Sequence, residues 1–131
     1  MAVSEKLRAL LREHADATRR QKARLERIGD ARGWELGGDE SKAMQGLIEG
    51  GHAHIAEVEK SPARDFLVVA HSLRVERYEQ AAYEACVALA QRLGLAEDAA
   101  LLKDSEAEER RMEEALAGLA EAEILGRIPL G

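Results

Sequence analysis

The stretch from Ser61 to Gly94 reads SPARDFLVVAHSLRVERYEQAAYEACVALAQRLG and determines the fold class. Its start is typical of a helix, because the Ser61 hydroxyl can cap the first turn and Pro62 loses no hydrogen bond there. Apolar residues then recur at helical spacing until Gly94. The stretch therefore predicts one long helix from Pro62 to Leu93.

Three further helices are predicted around this one. The first runs from Ser4 to Ile28 and ends at Gly29, with a loop from Asp30 to Asp39. A short, bent helix follows, capped by Asp39 or Ser41, reaching about Glu59 and weakened by three glycines. The last helix begins near Leu95 or Ala96 and continues to about Glu123, where Gly126 and Pro129 end regular structure.

The composition agrees with an all-α protein of one domain. The chain has 131 residues, and its apolar residues are aliphatic, since hydrophobic residues make up 46% and aromatic residues only 3%. We expect a helical domain over residues 1–124 and an apolar tail over residues 125–131. Docking of this tail to another protein is one interpretation, and a frayed or back-packed terminus is the other.

The charge pattern disfavours several classes of partner. The net charge of -6 disfavours binding to nucleic acid. No apolar run approaches a membrane span or a signal peptide, and the single Cys86 gives no internal disulfide, so we predict a cytoplasmic protein without membrane contact. The first helix is basic and the last is acidic. One interpretation is that these charged faces pair, either within the fold or across an oligomer interface. The other is that both faces are exposed to solvent.

Polar residues interrupt the apolar stripes of three helices. His14 replaces an apolar residue in the first helix, Glu76 lies in the centre of the third, and Glu109 lies in line between Leu102 and Leu116 of the last. If the third and last helices form a hairpin about Gly94, residues whose numbers sum to about 189 lie level. Glu76 is then level with Glu113, and Glu79 with Glu109 and Arg110.

Buried carboxylates of this kind require compensating cations. A metal ion supplies the charge most directly, and oxygen and imidazole ligands suit iron, with manganese as the alternative. The other interpretation is that the glutamates pair with Arg77, Arg110 or Arg111, or lie at the border of the apolar stripe, where water solvates them. His52 and His54 are two positions apart and cannot easily share an ion, and His71 is interpreted as a helix histidine bordering the seam.

Three segments resemble a known family. They are SKAMQGLIEG at residues 41–50, Ala63-Arg64-Asp65, and RVERYEQAAY at residues 74–83. In this order they are similar to the YciE/YciF type of ferritin-like stress-response protein, over roughly residues 13–120. The resemblance implies a ferritin-like bundle of three long helices and a short crossover helix, association as a homodimer, and a bacterial stress role linked to a di-iron site. The implied metal ligands are His14, Glu76, Glu79, Glu109 and Glu113.

The chain departs from the family pattern at the site. Ala17 takes the place of a glutamate, Arg77 replaces a histidine, and the family's first helix with its glutamate is missing. These departures predict a partly degenerate site with at most a weak iron-dependent oxidase or peroxidase-like activity. The alternative is a metal-free helical module, structural or partner-binding, on the same fold. With one helix missing, Leu7 and Leu11 are expected to be covered by a second subunit.

Overall fold

The computed structural model describes residues 4–34 and 42–131, and their regular structure is entirely helical. Helix α1 spans Glu5–Arg32, α2 spans Lys42–Ala56, α3 spans Pro62–Arg92 and α4 spans Ala96–Leu119. One wide helical turn, Ala120–Ile124, and one short 3-10 turn, Leu125–Arg127, continue α4. The predicted all-α class and order of helices are therefore confirmed.

The ends of α3 agree with the caps read from the sequence. The Ser61 hydroxyl accepts a hydrogen bond from the Arg64 amide at 3.2 Å, and Pro62 occupies the first turn. Gly94 has φ +74°, in the left-handed region that favours glycine, and it separates α3 from α4. The two helices form the expected antiparallel hairpin.

The predicted end of α1 at Gly29 is wrong. The helix continues one turn further to Arg32, because Gly29 is buried within it and Gly33, with φ +70°, provides the left-handed cap. The amides of Trp34 and Gly33 donate to the carbonyls of Gly29 and Asp30 at 2.8 and 3.3 Å, which is a Schellman arrangement. Part of the predicted loop is therefore helical, and its remainder, together with the proposed caps Asp39 and Ser41, lies outside the described residues.

Two other boundaries also differ. Helix α2 ends at Ala56 rather than near Glu59, since a turn and the Ser61 cap follow directly. Ile124 is 1% exposed and packs into the core, while Gly126 lies within the 3-10 turn instead of ending regular structure. Leu130 in the tail is fully exposed.

The apolar core is divided by a polar layer. One cluster contains Leu7, Ile55, Val69, Leu116 and Ile124, and the other contains Ile28, Val87, Ala90, Ala99 and Leu102. Along α1, α3 and α4 alike, the first cluster lies on one side of His14, Glu76 and Glu109 and the second lies on the other. Leu7 is completely buried in its own chain, so the expectation that a second subunit covers it is wrong.

Ion pairs join the basic α1 to the acidic α4. Lys6 contacts Glu123 at one end, Arg24 contacts Glu108 in the middle at 2.6 Å, and Arg32 contacts Asp98 at the other end at 2.9 Å. This order along both helices shows that they are antiparallel. Of the two interpretations of the charge pattern, pairing within the fold is therefore confirmed.

No helix among the described ranges is both long enough and apolar enough to span a bilayer.

Replacing Ser61 with alanine is expected to lower the free energy of unfolding by about 1 kcal/mol, because the first turn of α3 loses its capping acceptor. Ser61→Asp keeps an acceptor and serves as the control. Urea denaturation of both variants measures the difference, and equal losses for alanine and aspartate would contradict the capping role.

Candidate metal centre

Three helices bring one metal-ligand type each to a single point. The ligand atoms of His14, Glu76 and Glu109 all lie within 4.8 Å of one another. His14 Nε2 is 2.7 Å from Glu76 Oε1 and 3.8 Å from Glu109 Oε2. The stripe positions predicted on α1, α3 and α4 therefore converge in space.

The two carboxylates of this group are fully buried and poorly satisfied. Glu76 is 0% exposed and Glu109 is 1% exposed. Both oxygens of Glu76, Oε2 of Glu109 and Nε2 of His14 form no hydrogen bond of regular geometry with the residues that the structure describes, and the shortest contact among them is the 2.7 Å approach of His14 to Glu76. Buried polar atoms are nearly always paired, and an ion that binds there is one reason for such an exception.

The electrostatics of the group show a shortage of positive charge. Burial, together with the neighbouring Glu76, raises the pKa of Glu109 to about 7. Burial and the adjacent Glu109 carboxylate raise the pKa of Glu79 to about 7 as well. The Glu76 carboxylate raises the pKa of His14 despite the opposing effect of burial. The pocket therefore favours bound cations, whether protons or a metal ion.

Glu108, the residue next to Glu109, has the opposite environment. Its carboxylate accepts hydrogen bonds from Arg24 at 2.6 and 3.0 Å and from Arg20 at 3.1 Å. These two guanidinium groups outweigh its burial and lower the pKa of Glu108. The chain thus supplies two arginines to Glu108, whereas the only basic group near Glu109 in the described contacts is the imidazole of His14 at 3.8 Å.

A hydrogen-bonded pair, Gln21 and Tyr83, supports the group. The Tyr83 hydroxyl donates to Gln21 Oε1 at 3.0 Å, so the amide nitrogen of Gln21 faces α4 and donates to Glu109 Oε1 at 2.5 Å. Burial raises the pKa of Tyr83 to about 12, so the hydroxyl keeps its proton. Sequence analysis missed this role, although Gln21 lies on the inward face two turns after His14.

The remaining predicted ligands lie around the group rather than within it. Glu79 is adjacent to Glu109, as the hairpin register predicted. Glu113 instead accepts a hydrogen bond from Gln80 at 2.7 Å and pairs with Arg77 at 3.0 Å. Arg77 is thereby held at the surface, with 74% of its side chain exposed.

The alternative prediction was that arginines pair with the buried glutamates. Arg77 and Arg110 have other carboxylate partners instead. Arg77 pairs with Glu113, and Arg110 pairs with Glu84 and Glu106 at 2.7 Å. At the departure from the family pattern, Ala17 is buried and offers no ligand, while Asp16 pairs with Arg19 on the exposed face. The residues present fit one hard divalent ion, because they offer two carboxylates and an imidazole, and the ion would compete only with the protons of these groups.

Comparisons with known proteins agree with this structure. The model of a domain of unknown function, DUF892, matches residues 1–128. Protein YciF of Escherichia coli (strain K12) is 32% identical over 118 residues, which cover 89% of this chain and 71% of YciF.

Solved structures show the same fold. The crystal structure of the E. coli stress protein YciF matches with a TM-score of 0.85 and 31% identity, covering 92% of this chain and 76% of that one. YcfI of Rhodopseudomonas palustris, for which a structural role is suggested, matches with a TM-score of 0.85 and 28% identity, covering 88% of this chain and 74% of YcfI. The predicted ferritin-like, all-α fold is thus confirmed. The chain is similar to YciF and belongs to the DUF892 family.

Proposed function

We propose that this protein is a ferritin-like, stress-associated metal-binding protein of the bacterial cytoplasm, in which His14, Glu76 and Glu109 hold one divalent iron ion, with manganese as the alternative. The observation that carries the proposal is the contrast within α4. Glu108 has two arginine partners, whereas the described contacts give the buried Glu76 and Glu109 no arginine or lysine, and His14 is the one basic side chain beside them. Charges of this kind are retained when a cation binds.

The proposed capacity is one ion rather than two. Three ligand atoms converge, and Glu79 is a further carboxylate that adjoins Glu109. Ala17 cannot ligate, and Glu113 would have to leave Arg77 and Gln80 to join, so it stays a predicted ligand only. A bound iron ion would supply redox chemistry. The chain itself supplies the charge, the imidazole and the amide of Gln21 that positions Glu109.

Metal analysis tests the proposal directly. We expect protein purified without chelators, and protein titrated anaerobically with ferrous or manganous ions, to bind up to one ion per chain. Replacing His14 with alanine should weaken binding about 10- to 100-fold, since one of three converging ligands is removed. His54→Ala, a histidine exposed on α2, is the matched control. Tight binding of two ions per chain would contradict the single-ion proposal, and absence of any binding would contradict metal binding itself.

A second candidate function is a metal-free structural or partner-binding module. It is favoured by the 2.7 Å approach of His14 Nε2 to Glu76 and by the raised pKa of His14, because a protonated imidazole can replace a metal's charge. The similarity to YcfI supports it too. Metal content and titration separate the two functions, because only the first predicts binding that depends on His14.

Other expectations remain proposals. A weak oxidase or peroxidase-like activity would require the iron form. Homodimerisation and docking of the tail at residues 125–131 also stay predictions, and the exposure of Leu125 and Leu130 leaves both residues available for contacts.

A further inference from the structure

Helices α1, α2 and α3 surround a second feature, a cavity of about 190 Å³. Three of the four histidines of the chain, His14, His52 and His71, line it. The rest of its wall is mainly aliphatic, with Ile55 and Val68 among the lining residues. His52 is exposed, so the cavity opens to solvent on the α2 side, while His14 connects it to the carboxylate group.

The rings of His52 and His71 are close enough to share an ion. Their centroids are 5.8 Å apart, with an angle of 61° between the ring planes. A histidine nitrogen binds zinc at about 2.0–2.1 Å, which places the ion roughly 3.2 Å from each ring centroid. Two rings on one ion are therefore about 5.2 Å apart at the tetrahedral angle of zinc and at most about 6.4 Å apart in a linear arrangement, and the observed separation lies between these values.

The close approach of α2 fixes the ring of His71. A Cβ atom at Gly51 would lie only 1.9 Å from His71 Nδ1, so the ring packs against a backbone position that no side chain occupies. Nδ1 is buried there and has no hydrogen-bond partner within the described part of the chain. Nε2 is the nitrogen left for a ligand.

The imidazole of His71 is held in the form that binds metals. Burial, followed by the nearby His52 and Arg74, lowers the pKa of His71, so the ring is neutral at neutral pH. Neutral imidazole is the metal-binding form of histidine. The positive charge of Arg74 opposes a cation, which argues for moderate rather than tight binding.

We propose that His52 and His71 form a second metal site, which takes a borderline divalent ion such as zinc or nickel and opens into the cavity that His14 lines. Its ligands are imidazoles and solvent, whereas the ligands of the first site are mainly carboxylates, so the two sites select different ions. The inference goes beyond the proposed function and does not require that the carboxylate group bind iron.

Zinc titration of the full chain tests this site. The titration is made in the Glu76→Gln/Glu109→Gln background, so that zinc cannot bind to the carboxylate group. We expect one zinc ion per chain in that background. His52→Ala and His71→Gln should each weaken this binding at least 10-fold, and His54→Ala, the second histidine of α2, should leave it unchanged.

A fourth variant tests the role of the close helix approach. Gly51→Ala should displace the ring of His71 and weaken zinc binding although both histidines remain. Circular dichroism establishes that each variant is folded, and the exposed position of His52 keeps the test valid if His71→Gln or Gly51→Ala fails to fold.

Two results would overturn the proposal. One is equal zinc affinity in the His52→Ala and His54→Ala variants. The other is loss of all zinc binding in the Glu76→Gln/Glu109→Gln background, which would place the ion at the carboxylate group. Neither result concerns ferrous binding to His14, Glu76 and Glu109. The zinc titration can therefore contradict this proposal without contradicting the proposed function, and the ferrous titration can do the reverse.

Discussion

Replacing both Glu76 and Glu109 with glutamine is expected to weaken ferrous and manganous binding at least about 100-fold, since even the loss of partners that only support a metal's ligands costs 10- to 100-fold. The same double variant should leave the free energy of unfolding of the metal-free protein unchanged or raise it. Both side chains are fully buried, so neutralising them removes an unfavourable burial of charge. The amide oxygen of a glutamine at position 109 can still accept the hydrogen bond from Gln21.

Calorimetric titration and urea denaturation, each on wild type and variant, measure the two effects. The matched control is Glu84→Gln/Glu114→Gln, which removes the same two charges from exposed positions of the same helices, α3 and α4. An equal loss of affinity in the control would mean that net charge, rather than ligation, attracts the ion. A large loss of stability in the Glu76→Gln/Glu109→Gln variant would mean that both carboxylates are well satisfied without metal.

The helices could be predicted from the sequence because their signals are local. Ser61, Pro62 and Gly94 act through their own backbone positions, and the structure places the ends of α3 within one residue of the prediction. The inward positions of His14, Glu76 and Glu109 follow from helical periodicity, which is also local. The predicted end of α1 at Gly29 was wrong, because packing of the buried Gly29 inside the helix outweighs the low helix propensity of glycine.

The partners of the site residues could not be predicted in the same way. Summing residue numbers across the hairpin gives the level of a residue but not the face on which its side chain lies. Glu113, predicted to lie level with Glu76, contacts Gln80 and Arg77, and Glu109 is the residue that reaches Glu76.

Other features of the site depend on three helices at once. Nothing local in the sequence distinguishes Glu108, which α1 supplies with Arg20 and Arg24, from Glu109, which α1 supplies with the amide of Gln21 and the imidazole of His14. The contact between Gly51 and His71 likewise depends on the approach of α2 to α3. Such pairings follow from packing between distant segments, so a single sequence does not reveal them.

The metal-free protein is expected to lose stability as the pH rises from about 5 to about 8. Burial raises the pKa of Glu109 from 4.5 to about 7, so between these values the folded protein binds a proton that the unfolded chain releases. That proton stabilises the fold fully below the unfolded pKa, and the stabilisation is lost as the pH rises through the folded pKa. Each pKa unit corresponds to about 1.4 kcal/mol, so Glu109 contributes roughly 2–3 kcal/mol to this loss.

Glu79 and His14 act in the same direction, because their pKa values are raised as well. The contribution of His14 is complete below its unfolded pKa of 6.5 and is lost as the pH rises through its raised folded value. Glu108 acts in the opposite direction, because its lowered pKa gives stability above the unfolded value of 4.5 that is lost only in more acidic solution. His71 opposes this trend below about pH 6.5, because its lowered pKa makes the folded protein release a proton that the unfolded chain keeps. The difference in slope between wild type and Glu109→Gln therefore measures the contribution of the metal-binding group.

Urea denaturation at several pH values, with a chelator present, measures this dependence. Glu109→Gln should flatten the slope between pH 5 and pH 8, because glutamine has no proton to lose. Glu108→Gln, the adjacent control, should keep the slope while lowering stability throughout the range from pH 5 to pH 8, since Arg20 and Arg24 lose their partner. Wild-type stability that is constant or rises over this range would contradict the raised pKa values. Because a divalent ion competes with the same protons, adding iron or manganese should stabilise the protein more at pH 8 than at pH 5.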